Sequence, residues 1–237
     1  MSMTATIAPA LPAPRVRHFP LKMRRQYAVP ARRLAPPAGR PLVSSEQFLN
    51  WLEPGIHADL IAGQIFMHSP VTFRHAHYVN FLDRLMGQYI EEFGLGQLHR
   101  ETIAVRLGPR DTFLPDLSYF TREQVARLGE THADFAPALV VEVLSPATAA
   151  RDRGAKFSAY ETHGVMEYWL VDPHGAEHHF YRRIGDVLEE YAANGEPRIE
   201  ALSLPGFWLK REWLASAEQL PPVAACLDEL RGARRRR

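Results

Sequence analysis

The stretch from Pro137 to Asp172 constrains the chain most. It opens with an apolar run, Ala138 to Leu144, broken by a single acid, Glu142, and stopped at Ser145-Pro146. A run of that length and composition predicts a buried strand. An ionised carboxylate among Val and Leu costs several kcal/mol unless a cation or hydrogen bonds meet it, so something positive should face Glu142. Residues 149 to 162 have helix-forming composition and end at Gly164, after which Met166 to Val171 is again apolar. The pattern predicts a strand, helix, strand unit.

Upstream, Ser44-Ser45-Glu46 followed by Phe48, Leu49 and Trp51 predicts a short capped helix stopped at Pro54-Gly55. Asp59 to Met67 alternates around Ala62-Gly63 and reads as a hairpin. From Thr72 to Phe93, apolar residues at Val79, Leu82, Leu85, Met86, Tyr89, Ile90 and Phe93 predict an amphipathic helix ended by Gly94. Residues 98–107 and 113–120 read as two strands joined by a Gly-Pro-Arg-Asp turn, the second carrying a lone acid, Asp116, after Pro115. A helix is expected over residues 122–129 and a hairpin around Gly185-Asp186. A last strand is expected near 199–204, followed by short helices over 209–214 and 224–230.

Charge is segregated along the chain. Residues 1–45 hold eight basic residues and no acid, and the last seven residues hold five arginines. Setting those thirteen aside leaves 15 basic against 27 acidic residues between Glu46 and Leu230, a net charge of −12. With the proline-rich start, this predicts a disordered basic leader over 1–42, one domain over 43–215, and a C-terminal segment over 216–237 with an Arg-rich tail. Basic ends can attract phosphates, and they can equally be plain solvated tails. One cysteine excludes an internal disulfide framework and a multi-cysteine zinc site, which fits a reducing, cytoplasmic compartment. The sequence has no apolar run of membrane-spanning length and no signal-peptide pattern, so no membrane partner is expected.

Asp116, Glu142, Asp152 and Lys156 form the candidate chemistry. Asp152 and Lys156 are four apart on one helix face, where an ordinary surface ion pair would suffice. The helix leaves the end of the Glu142 strand, however, so Lys156 can be the cation that Glu142 requires. Two carboxylates suit a hard divalent cation such as Mg²⁺ or Mn²⁺, and a lysine beside them suits phosphodiester hydrolysis. Ser145 precedes proline and lacks a Gly-x-Ser-x-Gly elbow, which excludes a serine hydrolase of that kind. His75 is a lesser candidate for contact with metal or phosphate, and His77 a weaker one. Tyr160 shares the Lys156 face and reads first as core, as does Trp169. His178 and His179 alternate and read as exposed, and Glu167 opens a strand.

Leu114-Pro115-Asp116, Val140 to Pro146, Arg151-Asp152-Arg153-Gly154 with Lys156 and Tyr160, and Glu167 to Pro173 together resemble the Uma family, a branch of the PD-(D/E)XK nuclease superfamily. The likeness spans roughly residues 45–214. It implies a restriction-endonuclease-like α/β fold, a mixed sheet flanked by helices, with Asp116 and Glu142 as metal ligands and DNA as partner. The superfamily lysine would stand two residues after the glutamate, where this chain has Leu144. The family's shifted lysine matches Lys156; on the nuclease reading Asp152 would position that lysine or support the site from behind the ligands. Relatives often carry glutamate after the hairpin glycine, and here Gln64 stands there, an amide without the charge. Two readings beside a metal-dependent endonuclease stay open: a non-catalytic DNA-binding relative, and a hydrolase of a smaller phosphate substrate. Cutting both strands with one site per chain would favour a homodimer.

Overall fold

The computed structural model describes residues 42–235, apart from 102, 176, 193 and 194. The leader expected over 1–42 lies, up to residue 41, outside the described residues, as do Arg236 and Arg237. Helix α1 (Ser45–Trp51) starts from a capping box, in which the Ser44 hydroxyl accepts from Gln47 N and the Gln47 side chain accepts from Ser44 N. Strands β1 (Ala58–Ile61) and β2 (Gln64–Met67) form the expected hairpin. Its turn places Ala62 and Gly63 at φ 48° and 78°, the two left-handed positions of a tight hairpin. Helix α2 (Phe73–Phe93) begins where the Thr72 hydroxyl accepts from His75 N, and it ends at Gly94 with φ 57°.

The chain continues through β3 (Gly96–Arg100), β4 (Ala104–Gly108), β5 (Asp111–Phe113) and β6 (Leu117–Thr121). The one-turn helix α3 (Arg122–Val125) and the short β7 (His132–Ala133) lead into β8 (Leu139–Val143). Next comes a helical passage of three parts: α4 (Ala149–Arg151), a π-helical turn over Asp152–Lys156, and α5 (Phe157–Thr162). It delivers the chain to β9 (Glu167–Val171), which lies parallel to β8. Parallel neighbours need such a crossover, because a tight turn can only reverse the chain. The hairpin β10 (His179–Ile184) and β11 (Val187–Glu190) follows, then β12 (Arg198–Glu200), β13 (Trp208–Lys210) and a 3₁₀ turn over Arg211–Leu214. Helix α6 (Val223–Arg235) closes the described chain.

The central six-stranded sheet runs β11-β10-β9-β8-β6-β3, and all its pairings except β8 with β9 are antiparallel. A second sheet runs β2-β1-β5-β4-β7. Strand alternation explains both faces of the central sheet. Leu139, Val141, Val143, Trp169 and Val171 turn toward the main core with Leu82, Leu85 and Tyr89 of α2 and Leu227 and Leu230 of α6. Val140, Tyr168 and Leu170 turn the other way, onto Phe113, Tyr160 and Val165. Glu142 is in step with Val140, so it faces the second core, under the crossover helix. Among the described residues no helix is long and apolar enough to cross a membrane.

Several elements differ from the sequence-based expectation. The two strands expected over 98–107 and 113–120 are four, because Pro115 has no N–H for a ladder and the chain changes sheet on either side of the β4–β5 turn. Residues 209–214 begin as β13, paired with β12, and only then turn helical. The helix expected over 122–129 is a single capped turn. Within the segment expected to end in an Arg-rich tail, residues through Arg235 form α6. There Arg231 pairs with Glu92 at 2.7 Å, and Arg234 lies 4.2 Å from the ring of Phe93. His178, expected to be exposed, is buried, with one ring nitrogen 2.9 Å from Leu214 O and the other accepting from Asp172 N. Glu167 accepts from Leu202 N and Ser203 N and from the Ser203 hydroxyl, so it anchors a loop remote from the site described below.

Gly96 joins α2 to the sheet at φ 134°, where an added Cβ would sit 2.1 Å from Phe120 O. Gly96→Ala is expected to destabilise the domain by about 2 to 3 kcal/mol through strained backbone and a displaced β3–β6 pairing, read as a drop in thermal midpoint.

Candidate active site

A cleft of about 470 Å³ opens at the end of β8. It is lined by His57 and His68 from the open end of the β1–β2 hairpin, by His75 of α2, by Leu114 and Asp116 ahead of β6, by Glu142, and by Lys156. Asp116 precedes Leu117, which pairs with Val141, so the antiparallel register carries Asp116 to the side of Glu142. One Asp116 oxygen, Oδ2, accepts from Val143 N at 2.7 Å and stands 3.2 Å from His75 Nε2. Burial alone would lower the pKa of His75, but Asp116 outweighs it and holds the imidazole above its ordinary value.

Lys156 is the cation that Glu142 required. Its ammonium donates to Glu142 Oε1 at 2.8 Å and lies 3.6 Å from Asp152 Oδ1, with 3 % of the side chain exposed. The π turn aims it there. Tyr168 donates its hydroxyl to the Asp152 carbonyl at 3.0 Å, and a side-chain donor at a helical carbonyl, with the weak helix former Gly154 two residues on, locally widens the spiral. Tyr160, fully buried as expected of a core residue, also donates to Glu142 Oε1, at 2.9 Å.

A third carboxylate, absent from the sequence-based candidates, completes the nest around Lys156. Asp59 of β1 is fully buried, with Oδ2 3.1 Å from Lys156 Nζ and 3.0 Å from His68 Nε2, while Oδ1 accepts from Leu114 N at 2.9 Å. Burial would raise its pKa, but Lys156 and His68 hold it well below the carboxylate range. Asp59 carries the same signal that singled out Glu142, a lone acid in an apolar strand. His68, directly before Ser69-Pro70, carries no comparable signal in the sequence. Gln64 stands opposite Ile61 beside the hairpin turn, away from the end that lines the cleft. His77 contacts Ala217 O at 3.3 Å and His179 pairs with Glu190 at 3.0 Å, so neither joins the cleft.

One lysine therefore faces Asp59, Glu142 and Asp152, with Asp116 close by. Burial pushes the Glu142 carboxyl well up despite Lys156, and the surrounding acids push it further. Burial likewise raises Asp152. Burial would lower the pKa of Lys156, but the three carboxylates outweigh it and hold it well above its ordinary value. The site carries surplus negative charge that its own cation does not neutralise.

A mixed sheet with a β8-to-β9 helical crossover, acids at the ends of adjoining strands and a lysine on the crossover define a restriction-endonuclease-like α/β fold. The same fold occurs in the crystal structure of a "putative nuclease belonging to DUF820" from Anabaena variabilis, which is 18 % identical with a TM-score of 0.64 over 75 % of this chain and 99 % of that one. The chain belongs to the Uma2 family, described as "Putative restriction endonuclease", whose model matches residues 45–212. It is also 27 % identical, over 72 % of its own length and 91 % of the relative's, to an uncharacterized protein of Synechocystis.

Proposed function

We propose that the protein is a Mg²⁺- or Mn²⁺-dependent endonuclease that hydrolyses DNA phosphodiester bonds in this cleft. The contact between Lys156 and Glu142 carries the reading. It brings a lysine to a buried acid beside Asp116, although the chain has Leu144 where the superfamily lysine would stand.

The donor set fits a hydrated divalent cation. Among the described residues no three His, Cys, Asp or Glu side chains form a ready-made cage, and Mg²⁺ does not need one, since it binds through one or two carboxylates and keeps its waters. Asp116 Oδ1 and Glu142 Oε2 accept no hydrogen bond among the described residues, which leaves an oxygen on each for the ion. The surplus negative charge supplies the attraction. When bound, the ion would polarise the phosphate and acidify a bound water.

The chain's own side chains do the rest. Lys156, fixed as an ammonium by Asp59 and Asp152, orients the attacking water and offsets charge developing on the phosphoryl oxygens. Tyr160 holds the Glu142 carboxylate in one rotamer, and His75 holds Asp116, so both acids are set before substrate arrives. Plasmid cleavage with Mg²⁺ or Mn²⁺ tests the reading by comparing the wild type with Glu142→Ala and Lys156→Ala. The wild type should cut and each variant should lose about 10²- to 10³-fold in rate. Equal cutting by all three would remove the site, and DNA retention in a gel shift without cutting would replace the enzyme by a binding module.

A further inference from the structure

We infer that His68 is the general base of this cleft, taking the proton of the attacking water on its Nδ1 atom; this rests on the nuclease reading above. Hydrolysis needs a proton acceptor within reach of the water. Lys156 cannot serve, because three carboxylates keep it protonated. His75 cannot serve either: its Nε2 is committed to Asp116, and its Nδ1 is buried without a partner.

His68 has what those two lack. It lines the cleft with 18 % of its side chain exposed, and its Nε2 lies 3.0 Å from the buried carboxylate of Asp59. A carboxylate at Nε2 selects the tautomer with the proton there, which leaves the lone pair on Nδ1. Nδ1 has no hydrogen-bond partner among the described residues and is not among the buried unpaired atoms. The contact with Asp59 is close but not aligned as a hydrogen bond, a common state of catalytic pairs before substrate binds. The charged and titratable groups of the cleft around it are Asp59 from β1, Lys156 from the π turn, Glu142 from β8, His75 from α2 with Asp116 from ahead of β6, and His57 with Glu101 at 3.5 Å across the rim. Lys156 lies 3.1 Å from the same Asp59 oxygen, so the Asp59 carboxylate bridges the lysine and His68.

The step balances without a further reactant. One O–H bond of the water breaks, its proton passes to Nδ1, and the electron pair forms the new P–O bond. The ester P–O bond breaks with its pair on the leaving oxygen, which takes a proton from solvent. The imidazolium, stabilised by Asp59, returns its proton to solvent.

Single-turnover cleavage of a labelled DNA duplex with Mg²⁺, followed from pH 5 to 9, tests this. For the wild type the rate should rise with pH along one limb and level off. His68→Ala should be slower by about 10²- to 10⁴-fold, lose that limb and recover in part with added imidazole. His68→Gln, closer in size, should lose the limb as well, with a thermal melt in Mg²⁺ confirming the fold of each variant. Wild-type cutting with an unchanged limb or an undiminished rate in both variants overturns the role of His68 alone. A wild type that does not cut overturns both readings.

Discussion

On the proposed nuclease reading, Lys156→Met is expected to lower the thermal midpoint and to abolish cutting. The methionine replaces the stem but not the charge, leaving Asp59, Glu142 and Asp152 buried around a thioether. Removing one partner of a buried ionic cluster costs about 3 to 5 kcal/mol, because the charges left behind must be desolvated without compensation. For a domain of this size that is about 6 to 20 °C in midpoint. The test is a melt with and without Mg²⁺. The variant should gain more from the ion than the wild type, since the ion then meets acids that lack their lysine. A variant as stable as the wild type would mean that the three carboxylates are neutral in the folded protein.

Glu142→Gln moves stability and activity in opposite directions. Glutamine keeps the side-chain shape and an oxygen for Lys156 and Tyr160, but it cannot ionise, so the acids around Lys156 lose one competitor for that cation. Stability should rise by about 1 to 2 kcal/mol, the gain typical of relieving a strained functional site. Cutting should fall by about 10²- to 10³-fold, because a neutral amide holds no hard cation.

The pH dependence separates this account from simple repacking. The folded pKa of Glu142 is raised above 4.5, so the folded state binds its proton more tightly than the unfolded chain does. Its contribution is therefore complete below the unfolded pKa and is lost as pH rises toward the folded value. Asp59 is depressed and behaves oppositely: its contribution is present above the carboxylate range and is lost as pH falls below it. Wild-type stability should therefore decline as pH rises from the ordinary carboxylate range through neutrality, and His75, whose folded pKa is also raised, adds to that decline above its ordinary value. Glu142→Gln should flatten that decline, leaving the parts due to Asp152 and His75. An unaltered decline would show that Glu142 is not the titrating group.

The candidate site was partly legible because buried charge is conspicuous. Glu142 stood alone in an apolar run, Asp116 followed a proline, and Lys156 lay one helix later, so the demand for a partner could be met by inspection. Asp59 breaks its own strand in the same manner, while the family resemblance points instead to Gln64 beside the hairpin glycine. The hairpin's orientation decides between them: its open end brings His57 and His68 to the cleft, with Asp59 buried behind them against Lys156, and its turn does not reach it. No spacing rule announces that, because it depends on which end of a two-stranded unit packs against a separate sheet. Likewise, the change of sheet around Pro115 and the pairing of β12 with β13 arise from long-range contacts that outweigh local propensity.

By itself the sequence determined the apolar runs that bury β8 and β9, the strand, helix, strand order across them, the capped start of α1 and the glycine end of α2, and the presence of one acid that needed a cation. These follow from periods of two and 3.6 residues and from the cost of a lone buried charge, all local properties. Only the tertiary structure decided that Lys156 answers three carboxylates, that a π turn aims it, and that Asp59 also stands against His68. Those distances are set where two sheets and a helix meet. A charge nest is defined by its sum, and the sum exists only once the chain has folded.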